Sequence, residues 1–310
     1  MNTDFSYIRY LKAKKSIDDR FLNRYVYSTM LKHLPCQYPD KPLHILEIGS
    51  GIGTMIERLI DWDLLHHINY TTVEIDINFI NEGISRLQTY ASENNWHFNI
   101  VSGNTREQNI HMKKQSRSIE LRFIHGDFQQ EQYTGVVIPD QDLVIAHTML
   151  DIFNLPTAVE KIISLLKPNG IFWFTMNYDG LTRFIPRLEG ELDQKIELLY
   201  NNSMDKKDCN ERPRGGSKAG SRMFDVINRS GGSLLAAGSS DWIITPVDKG
   251  YTEDEIYFIR SILFTVVSAL QDHPELGDRE LESWLENRLE QLEKGELSFI
   301  AHQLDFVGHK

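Results

Sequence analysis

The sequence predicts an α/β fold whose core is a seven-stranded, mostly parallel and doubly wound sheet. Short β-branched and aliphatic runs alternate with segments of helical periodicity. The first such run ends in closely spaced glycines, as at the ligand-binding edge of a parallel sheet. With 310 residues, the chain is long enough for one large domain with insertions. We therefore expect a single α/β domain over residues 43–310, preceded by a helical cap over residues 1–42.

The composition is that of an ordinary globular protein, with 41% apolar and 25% charged residues. Neither a signal peptide nor an apolar run of the ~20 residues needed to cross a bilayer is present, so we expect a cytoplasmic protein without a membrane partner. The net charge of −11 argues against binding to nucleic acid. Cys36 and Cys209 lie far apart, which argues against a disulfide framework and a cysteine metal site.

The first 34 residues carry apolar positions at helical spacing and predict two helices before the first strand. Ser16 or Asp18 is expected to cap the second of these helices. Three prolines, Pro35, Pro39 and Pro42, then predict a loop that leads the chain into the sheet.

The first strand ends in the stretch L-E-I-G-S-G-I-G-T, residues 46–54. Its glycines tolerate positive φ angles and let a ligand approach main-chain N–H groups closely. A dinucleotide site would need G-x-G-x-x-G, whose third glycine falls where the chain has Thr54. The spacing therefore disfavours a nicotinamide dinucleotide as the ligand.

The same stretch fits the form E/D-x-G-x-G-x-G through Glu47, Gly49, Gly51 and Gly53, and resembles motif I of the class I S-adenosylmethionine (SAM)-dependent methyltransferases. The resemblance implies that this loop, which includes Ser50, surrounds the methionine part of SAM, and that Glu47 helps to hold its ammonium group. It also implies that the seventh strand returns antiparallel between the fifth and sixth. The N-terminal helices would then either cover the cofactor cleft as a lid or pack against the sheet edge.

The second strand, N-Y-T-T-V-E-I-D over residues 69–76, ends in carboxylates at the edge where ligands of parallel sheets bind. A carboxylate there can accept both ribose hydroxyls. The resemblance makes Glu74 the ribose ligand. Asp76 is the second candidate, and it could instead cap the helix that follows.

Residues 102–118 contain few large apolar groups and are expected to form an inserted mobile loop or the tip of a β-hairpin. The third strand, residues 119–124, runs into Gly126, Asp127 and Phe128. The resemblance implies that Asp127 accepts the adenine amino group and that the main-chain N–H of Phe128 meets the ring.

The fourth strand, residues 142–147, ends at His147, and Asp151 follows one helical turn later. His147 is the candidate general base and a further candidate cofactor contact, with Asp151 as the second catalytic candidate. The strand lacks the N-P-P-Y tetrapeptide, which argues against adenine-N6 or amide methylation. Since Asp151 is the only carboxylate in this stretch, we expect no metal.

A helix over residues 157–166 is predicted to stop at K-P-N-G, with Gly170 left-handed. Beyond the fifth strand, Asn177, Tyr178 and Asp241 are the candidate acceptor-binding residues. Two amphipathic helices over residues 253–273 and 278–294 form a second insertion, residues 247–296, before the last strand.

Together these features predict an enzyme that transfers a methyl group from SAM to a small-molecule acceptor by in-line displacement and releases S-adenosyl-L-homocysteine (SAH). Protein or tRNA methylation is the alternative within the family. An NAD(P)-dependent oxidoreductase and a non-catalytic SAM-binding protein are the alternatives outside it.

Overall fold

The computed structural model describes residues 5–38, 40–130, 139–206, 214–247 and 250–310. The strands in this part of the chain are β1 (Leu43–Ile48), β2 (His67–Glu74), β3 (His97–Gly103), β4 (Glu107–Lys114), β5 (Arg117–His125), β6 (Gln141–His147), β7 (Leu166–Ile185), β8 (Ser233–Ser239), β9 (Trp242–Ile244) and β10 (Ser298–His309). The α-helices are α1 (Tyr7–Phe21), α2 (Arg24–His33), α3 (Thr54–Asp61), α4 (Ile77–Glu93), α5 (Leu155–Leu165), α6 (Leu192–Met204), α7 (Ala219–Arg229), α8 (Glu253–Leu270) and α9 (Asp278–Glu293).

All ten of these strands belong to one sheet, in the order β3-β4-β5-β2-β1-β6-β7-β10-β8, with β9 paired to β10. The pairings that lead from β5 through β2, β1 and β6 to β7 are parallel. β10 lies antiparallel between β7 and β8. Without the β3–β4 hairpin and β9, this is the predicted seven-stranded, mostly parallel sheet, and the predicted antiparallel position of the last strand is confirmed.

Helices cover both faces of the sheet, as a doubly wound fold requires. Side chains from α1, α3, α4, α8 and α9 share one large core cluster on the first face. Helices α5 and α7 supply the core of the opposite face. Since α8 and α9 come between β9 and β10 in the chain, the helical insertion before the last strand is also confirmed.

The insertion at residues 102–118 is a β-hairpin at the sheet edge, so the mobile-loop alternative is wrong. β4 pairs antiparallel with both β3 and β5. Ile110 and Met112 are buried with Ile119 and Leu121 of β5 in the first core cluster. Alternate inward-facing residues are enough to anchor a strand whose other positions are polar.

Helix α5 ends at Leu165, and the K-P-N-G segment that was predicted to stop it lies at the start of β7. The residue with the left-handed conformation is Asn169, with φ of 63°. Gly170 serves another purpose, because a Cβ at this position would lie 2.8 Å from the carbonyl oxygen of Gln141. β7 then extends to Ile185, so residues 177 and 178, expected beyond the strand, pair with β10 inside it.

The N-terminal helices are capped differently from the prediction. Asn23 caps α2, because its side-chain oxygen accepts the main-chain N–H of Val26 at 3.0 Å. Neither Ser16 nor Asp18 does so, since α1 continues to Phe21 and contains both of them. Asp18 is a buried carboxylate in the last turn of α1, and the candidate site explains why it is there.

Candidate active site

The glycine loop joins β1 to α3 at the carboxyl edge of the parallel strands. Gly49, Gly51 and Gly53 have φ angles of 68°, 51° and 75°. In this left-handed region a side chain costs about 1–2 kcal/mol per residue. All three glycines that the motif contains therefore have a backbone conformation that favours glycine.

One polar side chain of this loop, that of Ser50, is available to a ligand. Ser50 is buried, and its Oγ has no hydrogen-bond partner among the described residues. A buried polar atom without a partner costs about 1–3 kcal/mol. The side chains that lie against the neighbouring glycines, Met149 at Gly49 and Leu11 at Gly51, are apolar. A spare hydroxyl in a left-handed glycine loop fits a polar ligand such as the methionine part of SAM.

Glu74 ties the end of β2 to the glycine loop. Its Oε2 accepts the main-chain N–H of Gly51 at 2.8 Å, and its Oε1 accepts that of Asp76 at 3.0 Å. Burial raises the pKa of Glu74, and the hydrogen bonds from these two N–H groups oppose the rise. The predicted ribose ligand and the predicted methionine loop are thus direct neighbours.

Glu47 lies in the core beneath the loop. It is buried, and its Oε2 accepts a hydrogen bond from the hydroxyl of Tyr70 at 2.9 Å. Burial raises its pKa to about 7, and the hydrogen bond from Tyr70 limits the rise. Its contact with the ammonium group of a cofactor stays a prediction.

Three further cofactor candidates follow β2 and β5, which are neighbours in the sheet. Asp76 caps α4, with its Oδ1 accepting the N–H two residues on at 2.8 Å. Asp127 makes the same kind of turn, accepting the N–H of Gln129 at 2.9 Å. Phe128 is buried in the second core cluster beside Phe153. Their contacts with adenosine stay predictions.

His147 connects the sheet to α1. Its Nδ1 lies 2.6 Å from the hydroxyl of Thr175, and its Nε2 lies 2.9 Å from Oδ2 of Asp18. Burial and the nearby charge of Lys14 lower its pKa to about 4. At neutral pH the ring is therefore uncharged, and neither nitrogen is free to take a proton from an acceptor in this arrangement.

Asp18 is the centre of that buried network. Its carboxylate accepts Lys14 Nζ at 2.5 Å and Trp242 Nε1 at 3.1 Å, besides His147. Burial opposes its ionisation, but the charge of Lys14 and the hydrogen bond with His147 outweigh burial and lower its pKa. The sequence predicted Asp18 only as a helix cap, and the i,i+4 spacing of Lys14 and Asp18 is the one local signal of this ion pair.

A cavity of about 250 Å³ lies against α1. Residues of α1, α6, α8 and β9 line it, together with the ends of β6, β7 and β10. Leu11 lines the cavity and also lies within 3.5 Å of the place that a Cβ on Gly51 would occupy. The cavity therefore adjoins the glycine loop, beside which the sequence predicts an acceptor site.

Asp151 lines this cavity from the short helical turn after β6. Its carboxylate receives its own N–H and that of Ile152, and no side chain of the described chain donates to it. Burial raises its pKa to about 6, and those two N–H groups, Lys14 and Arg214 oppose the rise. Of the two predicted catalytic residues, it is the one with an available proton acceptor.

Comparison with known proteins adds little to this geometry. No family model and no curated protein matches the sequence. A structure described as a sarcosine dimethylglycine methyltransferase from Galdieria sulphuraria is 12% identical, with a TM-score of 0.45, covering 92% of this chain and 84% of its own. Phosphoethanolamine N-methyltransferase 2 of Haemonchus contortus is 14% identical, with a TM-score of 0.44, covering 100% of this chain and 58% of its own. These similarities are too low to assign an activity, so the case for one rests on the site.

The predicted acceptor-binding residues separate into two groups. Tyr178 lines the cavity, and its hydroxyl lies 2.9 Å from that of Thr182. Asn177 is the next residue along the same strand, so its side chain points to the other face of the sheet and is not part of the cavity wall. Asp241 is also outside the cavity wall. Its Oδ1 lies 2.7 Å from Nδ1 of His302.

Most of the residues that line the cavity were not predicted from the sequence. The cavity wall contains aromatic side chains from four separate elements, namely Tyr7 and Tyr10, Tyr200, Trp242 and Phe299. Each is an ordinary core residue by local pattern. Only the fold brings them together.

The described part of the chain holds no group of three or more His, Cys, Asp or Glu side chains that could bind a metal ion. None of its helices combines the length and the apolar character needed to cross a membrane.

Proposed function

We propose that this protein is a SAM-dependent methyltransferase that acts on a small-molecule acceptor. The observation that carries the proposal is the contact between Gly51 and Glu74, which joins the glycine loop to the end of β2 beside a cavity. The crevice beyond the carboxyl ends of parallel strands is where ligands of such sheets bind.

The residues that would hold the cofactor are those of the loop and of the neighbouring strand ends. Glu74 offers carboxylate oxygens for the ribose hydroxyls, and Ser50 offers its spare hydroxyl. Asp127 would accept the adenine amino group. When bound, SAM supplies an electrophilic methyl group on a sulfonium sulfur.

The reaction requires the protein mainly to align the two reactants and to exclude water. In-line displacement is accelerated chiefly by holding the two reactants in the correct geometry. The network around Asp18 holds α1 over the cavity and so provides that enclosure. It also supports the lid interpretation of the first N-terminal helix over simple packing at the sheet edge.

A small acceptor is favoured over a protein or tRNA because the cavity is walled by three helices and the sheet. An oxidoreductase is disfavoured because the third glycine of the dinucleotide pattern is replaced by Thr54. The non-catalytic alternative is disfavoured because Asp151 presents a carboxylate to a cavity that has room for a second ligand.

The test is calorimetric titration of the purified protein with SAH and, separately, with NAD and NADP. We expect micromolar binding of SAH alone. Gly51→Arg should abolish it by filling the loop. The matched control is Gly231→Arg, because Gly231 also has a positive φ, of 84°, yet has open space around it. Glu74→Gln, which removes the charge that accepts the ribose hydroxyls, should weaken SAH binding about tenfold.

Binding of NAD or NADP, or an equal loss in both arginine variants, would contradict the assignment of the loop. Absence of SAH binding to the wild-type protein would overturn the proposed function.

A further inference from the structure

The cavity wall carries one carboxylate that forms no ion pair with the described residues. Among the described residues that line it, the charged ones are Lys14 and Asp151. Lys14 is already paired, with its Nζ 2.5 Å from Asp18 and 3.3 Å from the hydroxyl of Thr148. Asp151 receives only main-chain N–H groups. A ligand that brings a positive charge to Asp151 would balance the wall, whereas a carboxylate or phosphate would be repelled.

Aromatic rings surround that carboxylate. Besides burial, the charge of Asp151 raises the pKa of Tyr7, Tyr10 and Tyr200, so these three phenols stand close to it. Trp242 supplies a further ring to the same wall. The faces of tyrosine and tryptophan rings attract cations, and their carbon surface accepts an apolar body.

We propose that the acceptor is a small amine, bound as its ammonium ion with the nitrogen at Asp151 and its apolar body among the aromatic rings. This inference rests on the proposed function and adds the class of acceptor to it. A volume of about 250 Å³ limits the acceptor to a compact molecule.

The reaction then balances as follows. The Asp151 carboxylate takes one proton from the ammonium group and frees the nitrogen lone pair. The lone pair forms a C–N bond with the methyl group of SAM as the C–S bond breaks, and that electron pair stays on sulfur in SAH. The product is the N-methylated amine in its ammonium form, and the proton on Asp151 returns to solvent.

Burial lowers the cost of proton transfer between these groups, because it brings their two pKa values closer together. Burial has raised the pKa of Asp151 to about 6, and an ammonium ion that enters the same site loses hydration, which lowers its pKa. The other groups that face Asp151 are the cations Lys14 and Arg214, which limit the rise, and the phenols of Tyr7, Tyr10 and Tyr200, which are uncharged at neutral pH.

The test compares probes of one shape and three charges. Protein saturated with SAH is titrated at pH 8 with 2-phenylethylamine, 2-phenylethanol and phenylacetate, and then with hexylamine, hexanol and hexanoate. We expect at least one amine to bind about tenfold more tightly than its alcohol, with the acid weakest of the three. With SAM in place of SAH, mass spectrometry should detect the N-methylated form of that amine.

Asp151→Asn keeps the shape of the side chain and removes its charge. We expect it to lose the amine's advantage over the alcohol while SAH affinity stays within about twofold, since the substitution is isosteric. Asp225→Asn, on the exposed face of α7, is the matched control and should change neither affinity. In the wild-type protein, methylation of the amine should decline as pH falls through about 6, and the Asn variant should lack this step.

The outcomes separate the two proposals. Failure of SAH to bind overturns the proposed function. If SAH binds but the alcohol or the acid equals or exceeds its amine, or if neither amine binds, the amine inference is overturned and the methyltransferase proposal survives. The comparison of probes in the wild-type protein decides the inference even if Asp151→Asn does not fold.

Discussion

The glycine loop is held by hydrogen bonds from its main-chain N–H groups to the end of the neighbouring strand, whereas the adjoining cavity is held by side chains that lie far apart in the sequence. Gly49 donates to Val73, and Gly51 donates to Glu74, two residues at the end of the next strand. The cavity depends on Asp18, which is 129 residues from His147 and 224 from Trp242. The loop is therefore a local structure, and the cavity is a product of the whole fold.

The two regions also differ in how they carry charge. Beneath the loop, Glu47 is a buried carboxyl whose pKa is raised to about 7 by burial. In the lid network, Asp18 is ionised and its pKa is lowered, because Lys14 and His147 outweigh burial. Loss of the network should therefore cost much stability, and loss of the loop's polar groups should cost little stability and much binding.

The largest expected effect is on the lid network. Asp18→Ala leaves the ammonium of Lys14 and the N–H groups of Trp242 and His147 buried without their acceptor. Removing one partner of a buried ion pair costs about 3–5 kcal/mol, and we expect that decrease in the free energy of urea unfolding. Asp225→Ala, which removes an exposed i,i+4 ion pair with Arg229, should cost about 0.5 kcal/mol or less. Similar losses in both variants would contradict the central position of Asp18.

The next effect is a pH dependence beneath the loop. Because the pKa of Glu47 is raised from 4.5 to about 7, its protonated form is the one that the fold favours. Its contribution to stability is complete below about pH 4.5 and is lost as pH rises through about 7. Relative to Glu47→Gln, the wild-type protein should lose roughly 2 kcal/mol between pH 5 and pH 8. Parallel stability curves for the two proteins would show that Glu47 does not titrate in this range.

The smallest effect concerns the spare hydroxyl of the loop. Ser50→Ala removes an Oγ that has no partner among the described residues, so stability without ligand should change by less than about 0.5 kcal/mol. SAH binding should weaken about tenfold, the value of one hydrogen bond. Ser261→Ala is the control, because that hydroxyl donates to the carbonyl of Tyr257 at 2.7 Å and its loss should affect stability but not affinity. Unchanged SAH affinity in Ser50→Ala would remove the hydroxyl from the site.

The contrast between the local glycine loop and a cavity built from distant residues also explains which features could be predicted from the sequence. The mostly parallel sheet follows from the alternation of apolar runs and helices, the position of the last strand from the family resemblance, and the glycine loop from a continuous motif, so all three could be predicted. For residues 102–118 the sequence left a mobile loop and a hairpin as alternatives. The hairpin is anchored by only two buried residues, Ile110 and Met112, which give too weak a pattern to decide between them. The lid network was not predicted, because Asp18 resembles a helix cap until the fold places His147 and Trp242 beside it.

The two candidate catalytic residues, which lie at the end of β6 and just after it, show the same limit of prediction from sequence. His147 and Asp151 are four residues apart, and the sequence favoured His147 as the general base, with Asp151 as the second candidate. The fold gives both nitrogens of His147 to Thr175 and Asp18 and leaves the carboxylate of Asp151 facing the cavity. Local pattern located the edge of the site, and only tertiary contacts distinguish the two side chains.

A crystal structure of the protein with SAH is the most direct test of the central claim. We expect electron density for the ligand between the glycine loop and the end of β2, with a carboxylate oxygen of Glu74 within hydrogen-bond distance of the ribose hydroxyls and the sulfur directed towards Asp151. Density at any other place, or a ribose that does not contact Glu74, would contradict the account.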